Sequence, residues 1–480
     1  MASESPQYHP SRRQILGASA LAAGAGLALT QTNPTRKPNI VLIIADQVRA
    51  DAVGAYGANP MGLTPNLDSL AMSGTLFRNM FTNQPVCSPS RMCLFSGQYP
   101  ATHGIWKNAG GRGIGITPEA KTLATECTKA GYSANYIGKW HLAEGTTGPV
   151  VPAARGGFLG LWQASNLLEL TSGAFAGDMW DGDGHPIHFE NEYRANFLTR
   201  LTKSFLDGVS ASSPFLLVVS YLEPHQQNDL GHMVAPEGYA KRYENPFVPA
   251  DLKFFPGTWQ EQLPEYYGSL ARVDECIGEI RAKLLERGLA ENTIVAFVSD
   301  HGCHFMTRNT EYKRSIHDAS IKVPLIISGA AFRGGREIRD TVSMIDVMPT
   351  LLDAAGVPIP ANVQGRSTLP LLAARPAGWS DDVFVQMSEY WVGRGLRTPE
   401  WTYALVAPRN AATFEPATNA PSYTAFQLYD NRADPHQLVN LAGRMETAKV
   451  EEELRHRLAT RMAEAGDTNA ELLPCPFPYA

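Results

Sequence analysis

Asn39-Ile40-Val41-Leu42-Ile43-Ile44-Ala45-Asp46-Gln47 sets an unbroken apolar row against a carboxylate and an amide. A strand with one wet face alternates polar and apolar residues, whereas one buried on both faces does not, so the row predicts an interior strand of a parallel sheet. Similar runs recur at 133–138, 215–221, 293–299 and 323–328. Amphipathic helical patterns separate them at 64–73, 120–130, 192–207 and 263–288. Strand and helix alternating in this way predict an α/β fold, doubly wound, with a mostly parallel sheet flanked by helices. From about residue 342 the texture changes. One more helix at 343–355 is followed by Pro- and Gly-rich turns, short strand candidates at 383–389, 403–407 and 426–429, and a charged helix at 447–465. The predicted organisation is a leader and spacer over 1–37, a catalytic α/β domain over 38–375 and a smaller α+β subdomain over 376–480.

Composition narrows the function classes. With 480 residues, 44% of them apolar and 18% charged, the chain can bury a large core and is not a disordered polymer. A formal net charge of −6 excludes a general nucleic-acid binder, which needs clustered positive charge. Six cysteines, Cys87, Cys93, Cys127, Cys276, Cys303 and Cys475, form no CxxC pair and are too sparse for a disulfide scaffold. At the amino terminus Ser11-Arg12-Arg13-Gln14-Ile15-Leu16 precedes an Ala/Gly-rich uncharged run to Leu29. Paired arginines before such a run read as a twin-arginine export signal, with cleavage near 28–32. The run is shorter than the roughly 20 residues of a stable membrane span. The chain is therefore expected to engage the twin-arginine translocase and to reach the periplasm or beyond, with no stable membrane span.

The chemistry follows the strands. Asp46-Gln47, Gly138-Lys139-Trp140-His141, Glu223-Pro224-His225 and Ser299-Asp300-His301-Gly302 each stand at the carboxyl end of a strand run. In open α/β sheets that edge is where ligands bind. One acid after a strand is a common turn cap, but four such clusters point to a site. Asp46, Gln47 and Asp300 offer oxygen ligands to a hard divalent cation such as Ca²⁺. His301 can add a nitrogen ligand or orient a carboxylate. Lys139, His141, His225 and Lys313 can surround an anionic substrate with positive charge and transferable protons. No GxSxG elbow or HExxH is present, and Asp181-Gly-Asp-Gly184 reads as a plain turn.

Cys87-Ser88-Pro89-Ser90-Arg91 decides among chemistries. Taken bare, Cys87 is either a low-pKa nucleophile opening a helix or a buried structural thiol. The motif resembles the Cys-X-Pro-Ser-Arg signature of the type I sulfatases, which have an alkaline phosphatase-like fold. The resemblance runs from about 38 to 441. It includes Pro65-Asn66-Leu67-Asp68-Ser69-Leu70, Ser96-Gly97-Gln98-Tyr99-Pro100, Ile345-Asp346-Val347-Met348-Pro349-Thr350 and Leu428-Tyr429-Asp430. It implies that a formylglycine-generating enzyme oxidises Cys87 to formylglycine. The hydrated aldehyde would attack sulfur through one hydroxyl and expel sulfate through the other.

By position in those motifs, Asp46, Gln47, Asp300 and His301, with the modified Cys87, match the metal ligands. Arg91 matches the residue that holds formylglycine, Lys139 and Lys313 the sulfate-clamping lysines, and His225 and His141 the histidines near the leaving oxygen. Many members carry Asp where Gln47 stands and Asn where His301 stands. Ca²⁺ is thus the expected cation, with Mn²⁺ and Mg²⁺ open. A Gln at the second position also occurs in formylglycine-dependent phosphonate and phosphate ester hydrolases, the alternative reading. His103 and His317 read as structural or substrate-contacting. The aromatic and amide groups of the 145–190 insertion (Phe158, Trp162, Asn166, Trp180, His185, His188), with Trp391 and Trp401, suggest a sulfated carbohydrate substrate.

Overall fold

A computed structural model describes residues 36–111, 113–210, 213–408, 416–468 and 470–476. The export signal lies outside the described residues, none of whose helices is long and apolar enough to cross a membrane. Residues 38–480 form one unit.

Ten strands build the main sheet: β1 (Asn39–Ala45), β2 (Thr75–Phe81), β3 (Ser133–Lys139), β4 (Trp162–Ser165), β5 (Ala176–Trp180), β6 (Pro186–Glu190), β7 (Phe215–Tyr221), β8 (Thr293–Ser299), β9 (Leu325–Ser328) and β10 (Arg336–Ser343). Their spatial order is β10-β2-β9-β8-β1-β7-β3-β4-β5-β6. The centre, from β8 through β4, is parallel; β9 and the β5–β6 hairpin are antiparallel.

The unbroken apolar row of β1 divides between two cores. Val41, Ile43 and Ala45 enter one cluster with Leu217 and Val219, covered by the helices Pro65–Ser73, Arg194–Gly208 and Trp259–Glu286. Ile40, Leu42 and Ile44 enter the other with Leu216 and Val218, under the helices Cys87–Ser96, Leu123–Lys129 and Val347–Ala354. Each fully buried Ile or Leu contributes about 1.5–3 kcal/mol. Two-sided burial fixes β1 as the axis of the fold.

Register then positions the site. Ala45 pairs with both Tyr221 and Ser299, so β1, β7 and β8 end level and release Asp46, the 222–225 turn and Asp300 at one edge. Gly138 of β3 pairs with Ser220, which brings Lys139 to the same edge. Gly138 has φ +108°, and a Cβ there would meet the Ser220 carbonyl oxygen at 2.1 Å, so this approach requires glycine.

A second sheet contains β11 (Val383–Met387), β12 (Gly393–Arg397), β13 (Trp401–Val406), β14 (Ser422–Asp430) and β15 (Glu471–Leu473). The helix Ala448–Glu464 packs Leu454, Leu458 and Met462 on its Phe384, Leu396 and Tyr403. Phe81 of the main sheet, Ile316 and Ile321 pack with Val383, Val385 and Met387, so the second sheet braces the 316–321 loop from behind.

Candidate active site

Cys87 is the first residue of the helix Cys87–Ser96 and is 1% exposed. Its Sγ lies 3.2 Å from Lys313 Nζ, 3.3 Å from His301 Nε2, 3.6 Å from Lys139 Nζ and 3.8 Å from Asp46 Oδ1. Burial alone would raise the thiol pKa, but Lys139, Lys313 and His301 outweigh it and hold the thiol well below its ordinary range. Arg91, one helical turn further on the same face, is fully buried. It donates from Nε to Asp300 at 3.1 Å, from Nη2 to Asp46 at 3.1 Å, and from Nη1 to the Lys139 carbonyl and the Ser220 hydroxyl. Arg91 therefore holds the two carboxylates that face the thiol.

Those carboxylates behave differently. Burial and Cys87 oppose ionisation of Asp46, but Lys139, His225 and Lys313 hold its carboxyl well below the usual range. Burial and then the neighbouring Asp46 raise Asp300. Two adjacent buried carboxylates call for a cation between them.

Hydrogen bonds define the histidine tautomers. His301 Nδ1 faces the Gly302 carbonyl at 3.0 Å, and His225 Nδ1 faces the Gln226 carbonyl at 2.7 Å. A carbonyl only accepts, so each Nδ1 carries a proton and each Nε2 faces inward. Lys313 Nζ is 3.1 Å from both Nε2 atoms. Burial, and then Lys313, lowers the His225 pKa. Lys139 bridges Asp46 at 2.7 Å and Glu169 at 2.9 Å, and Glu169 lies 3.4 Å from His141 Nδ1. The structure thus gathers Cys87, Arg91, Lys139, His141, His225, Lys313, Asp46, Asp300 and His301, with Gln47 alongside. Sequence reasoning missed Glu169; a lone acid inside the apolar run Leu167-Leu168-Glu169-Leu170 is the signal that could have found it.

The donor set fits a divalent cation. One ligand atom each of Asp46, Cys87, Asp300 and His301 lies within 4.8 Å of the others. Gln47 donates its amide to Gln226 at 2.9 Å, while its buried Oε1 has no hydrogen-bond partner. An orphaned amide oxygen, on a residue whose backbone N–H donates to Asp300 at 3.2 Å, is the kind of hard donor such a cation takes.

Other expected contacts lie elsewhere. His317 bonds Tyr429 and Ser315, and His103 lies 3.5 Å from the Cys93 thiol, both structural settings. Phe158 and Trp162 are not glycan-facing. They are 0% and 1% exposed in an aromatic cluster with Phe95, Tyr136 and Trp140, because β4 continues the main sheet there. Asn166 is buried too and bonds the backbone of Ala143 and Gly145. Asp181 accepts from the backbone of Asp183 and His185, the expected turn.

A family model described as Sulfatase matches residues 38–357. The chain belongs to the sulfatase family. A second model, N-sulphoglucosamine sulphohydrolase, C-terminal, matches residues 310–464 of the sulfatase. An ulvan-active sulfatase of Formosa agariphila is 30% identical to it over 455 residues, covering 91% of this chain and 83% of that protein. Among solved structures, one in complex with its substrate D-glucosamine-2-N,6-O-disulfate superposes with TM-score 0.76 at 23% identity, covering 90% and 99% of the two chains. The phosphonate monoester hydrolase of Agrobacterium radiobacter shares the fold, with TM-score 0.68 at 23% identity, covering 89% and 96%. The sulfatase has the alkaline phosphatase-like α/β fold of these neighbours.

Proposed function

We propose that this sulfatase is exported by the twin-arginine route and hydrolyses the sulfate ester of a carbohydrate, through formylglycine made from Cys87 by a formylglycine-generating enzyme. The observation that carries the reading is the convergence of two ammonium groups, an imidazole and a carboxylate within 3.2–3.8 Å of Cys87 Sγ. That atom marks where the hydroxyls of the converted side chain stand. Asp46, Gln47, Asp300 and His301, with the converted residue 87, would hold Ca²⁺, which when bound polarises the sulfate oxygens. Arg91 keeps both carboxylates turned toward the nucleophile. Lys139 and Lys313 both reach it, at 3.6 and 3.2 Å, and clamp sulfate oxygens. His225 and Lys313 share a proton across 3.1 Å, and that pair protonates the leaving oxygen. The carbohydrate class rests on the relatives, whose names include an ulvan-active sulfatase and whose solved structures include a disulfated glucosamine complex.

Gln47 favours a second reading, phosphonate or phosphate ester hydrolysis with the same machinery. One set of assays separates them. Conversion lowers the mass of the Cys87 peptide by about 18 Da, whereas stepwise thiol oxidation adds mass. The loss, with sulfate released from a sulfated-glycan panel, supports the proposal. A larger kcat/KM on the phosphonate of a matched ester pair moves the enzyme to the second reading. An unconverted thiol in a host that modifies such motifs overturns both.

A further inference from the structure

Glu169 lies outside the metal-facing carboxylates and outside every motif that resembles the family. It sits in the helical turn Leu168–Thr171, directly after β4, with its side chain 5% exposed. Its Oε1 reaches Lys139 Nζ at 2.9 Å and His141 Nδ1 at 3.4 Å, and its Oε2 is buried without a hydrogen-bond partner. Burying a carboxylate in an apolar run is costly unless its partners compensate. Burial pushes Glu169 up, but Lys139 and then His141 hold it down at about 2, so it is ionised at neutral pH.

We propose that Glu169 is a positioning residue of the hydrolytic site, one carboxylate oxygen fixing both the Lys139 ammonium and the His141 ring against residue 87. The inference rests on the sulfatase reading of the site. Three contacts define the first half. Lys139 donates to Asp46 at 2.7 Å and pairs with Glu169 at 2.9 Å, and its Nζ lies 3.6 Å from Cys87 Sγ. Without Glu169 the ammonium is drawn onto Asp46 alone, away from the nucleophile and over a carboxylate that faces the cation site. The second half concerns the ring. His141 has a left-handed backbone, φ +58°, and its N–H donates to the Asn166 carbonyl at 2.7 Å, while Trp140 N–H donates to Ser165 at 2.8 Å. The end of β4 therefore clamps the 140–141 backbone, and three residues past Asn166 the same segment presents Glu169. His141 Nδ1 makes no hydrogen bond, so Glu169 Oε1, 3.4 Å away, bears on the ring as a close neighbour rather than as a bonded acceptor.

The test compares wild type, Glu169→Gln and Glu169→Asp, each converted at residue 87 and loaded with Ca²⁺, on 4-nitrophenyl sulfate. A group that sets geometry from outside the reacting atoms is worth about 100-fold. Glu169→Gln is expected to lose about that much kcat with KM within twofold. Glu169→Asp keeps the charge and is expected to recover about tenfold of the loss. A Glu169→Gln kcat within threefold of wild type overturns the proposal. So does activity in both variants that merely tracks their folded fraction by thermal melting, which would make Glu169 structural. Wild type that releases sulfate from neither 4-nitrophenyl sulfate nor the sulfated-glycan panel overturns the underlying sulfatase reading instead.

Discussion

Lys313 Nζ lies 3.2 Å from Cys87 Sγ, although 226 residues separate the two in sequence. The loop that carries Lys313 is tied down at several points. The Lys313 carbonyl accepts from His304 Nε2 and Asn309 Nδ2, both at 3.0 Å, and Arg314 N–H donates to Pro85, two residues before the nucleophile. Nucleophile and lysine are thus joined through backbone as well as side chain.

Lys313→Ala should lower kcat by about 10²–10³-fold, the usual effect of deleting one donor aimed at developing charge. The His304 and Asn309 contacts to its carbonyl are untouched, so the melting temperature should stay close to wild type. Steady-state kinetics beside a thermal melt check this. An unchanged kcat would remove Lys313 from the catalytic set.

Acid lability follows from two histidines held neutral around this loop. Burial lowers His304 to about 3, and it lowers His317 well below the ordinary histidine range. In the unfolded chain both take up a proton near pH 6.5. The folded state does so only at much lower pH, so stability is fully present above pH 6.5 and falls as pH drops toward 3. Each group contributes a slope of about 1.4 kcal/mol per pH unit in that window. Denaturant midpoints at pH 7.5 and pH 5.5 should show the fall, and His317→Gln should flatten it.

Legibility in the sequence tracked two-sided burial. Asn39–Ala45, Phe215–Tyr221 and Thr293–Ser299 are read from apolar rows because both faces enter cores, and their ends carry the acids and imidazoles of the site. Thr75–Phe81 and Arg336–Ser343 escaped, since Arg78 and Asn79 interrupt one row and the other is an edge strand with exposed charges. Phe158 and Trp162 were misread because aromatic composition is the same for a core and a sugar platform. Glu169 was invisible for a different reason. Its meaning comes from Lys139 and His141, thirty residues earlier, and only the β3–β4 pairing brings them together.

The second sheet should matter to the site through Asp318. Arg397 of β12 grips it bidentately, at 2.7 and 2.8 Å, just beyond the Lys313 loop. Burial opposes ionisation of Asp318, but Arg397 overrides it and lowers its pKa. The Asp318 side chain is 21% exposed, so stranding it costs less than the roughly 3–5 kcal/mol of a fully buried pair. Arg397→Ala should therefore lower denaturant stability by up to that amount, whereas the double variant with Asp318→Asn should recover part of it. Equal stability in single variant and wild type would show that the pair does not brace the loop.

Metal removal should act on activity and stability together. Asp46 and Asp300 are both 0% exposed and share Arg91 as a common cation, so their remaining mutual repulsion is relieved by a bound ion. Chelation should abolish turnover, and restoring Ca²⁺ at 100 times its Kd should return about 2.7 kcal/mol of stability, since only the folded site binds it. Gln47 makes the test specific. Gln47→Leu removes the unpartnered Oε1 yet leaves Asp46, Asp300 and His301 in place. If that oxygen is a ligand, the Ca²⁺ concentration for half-maximal activity should rise about 10–100-fold while saturated kcat changes far less. An unchanged calcium titration would mean that Gln47 serves only its bond to Gln226, and the cation would then rest on the other donors alone.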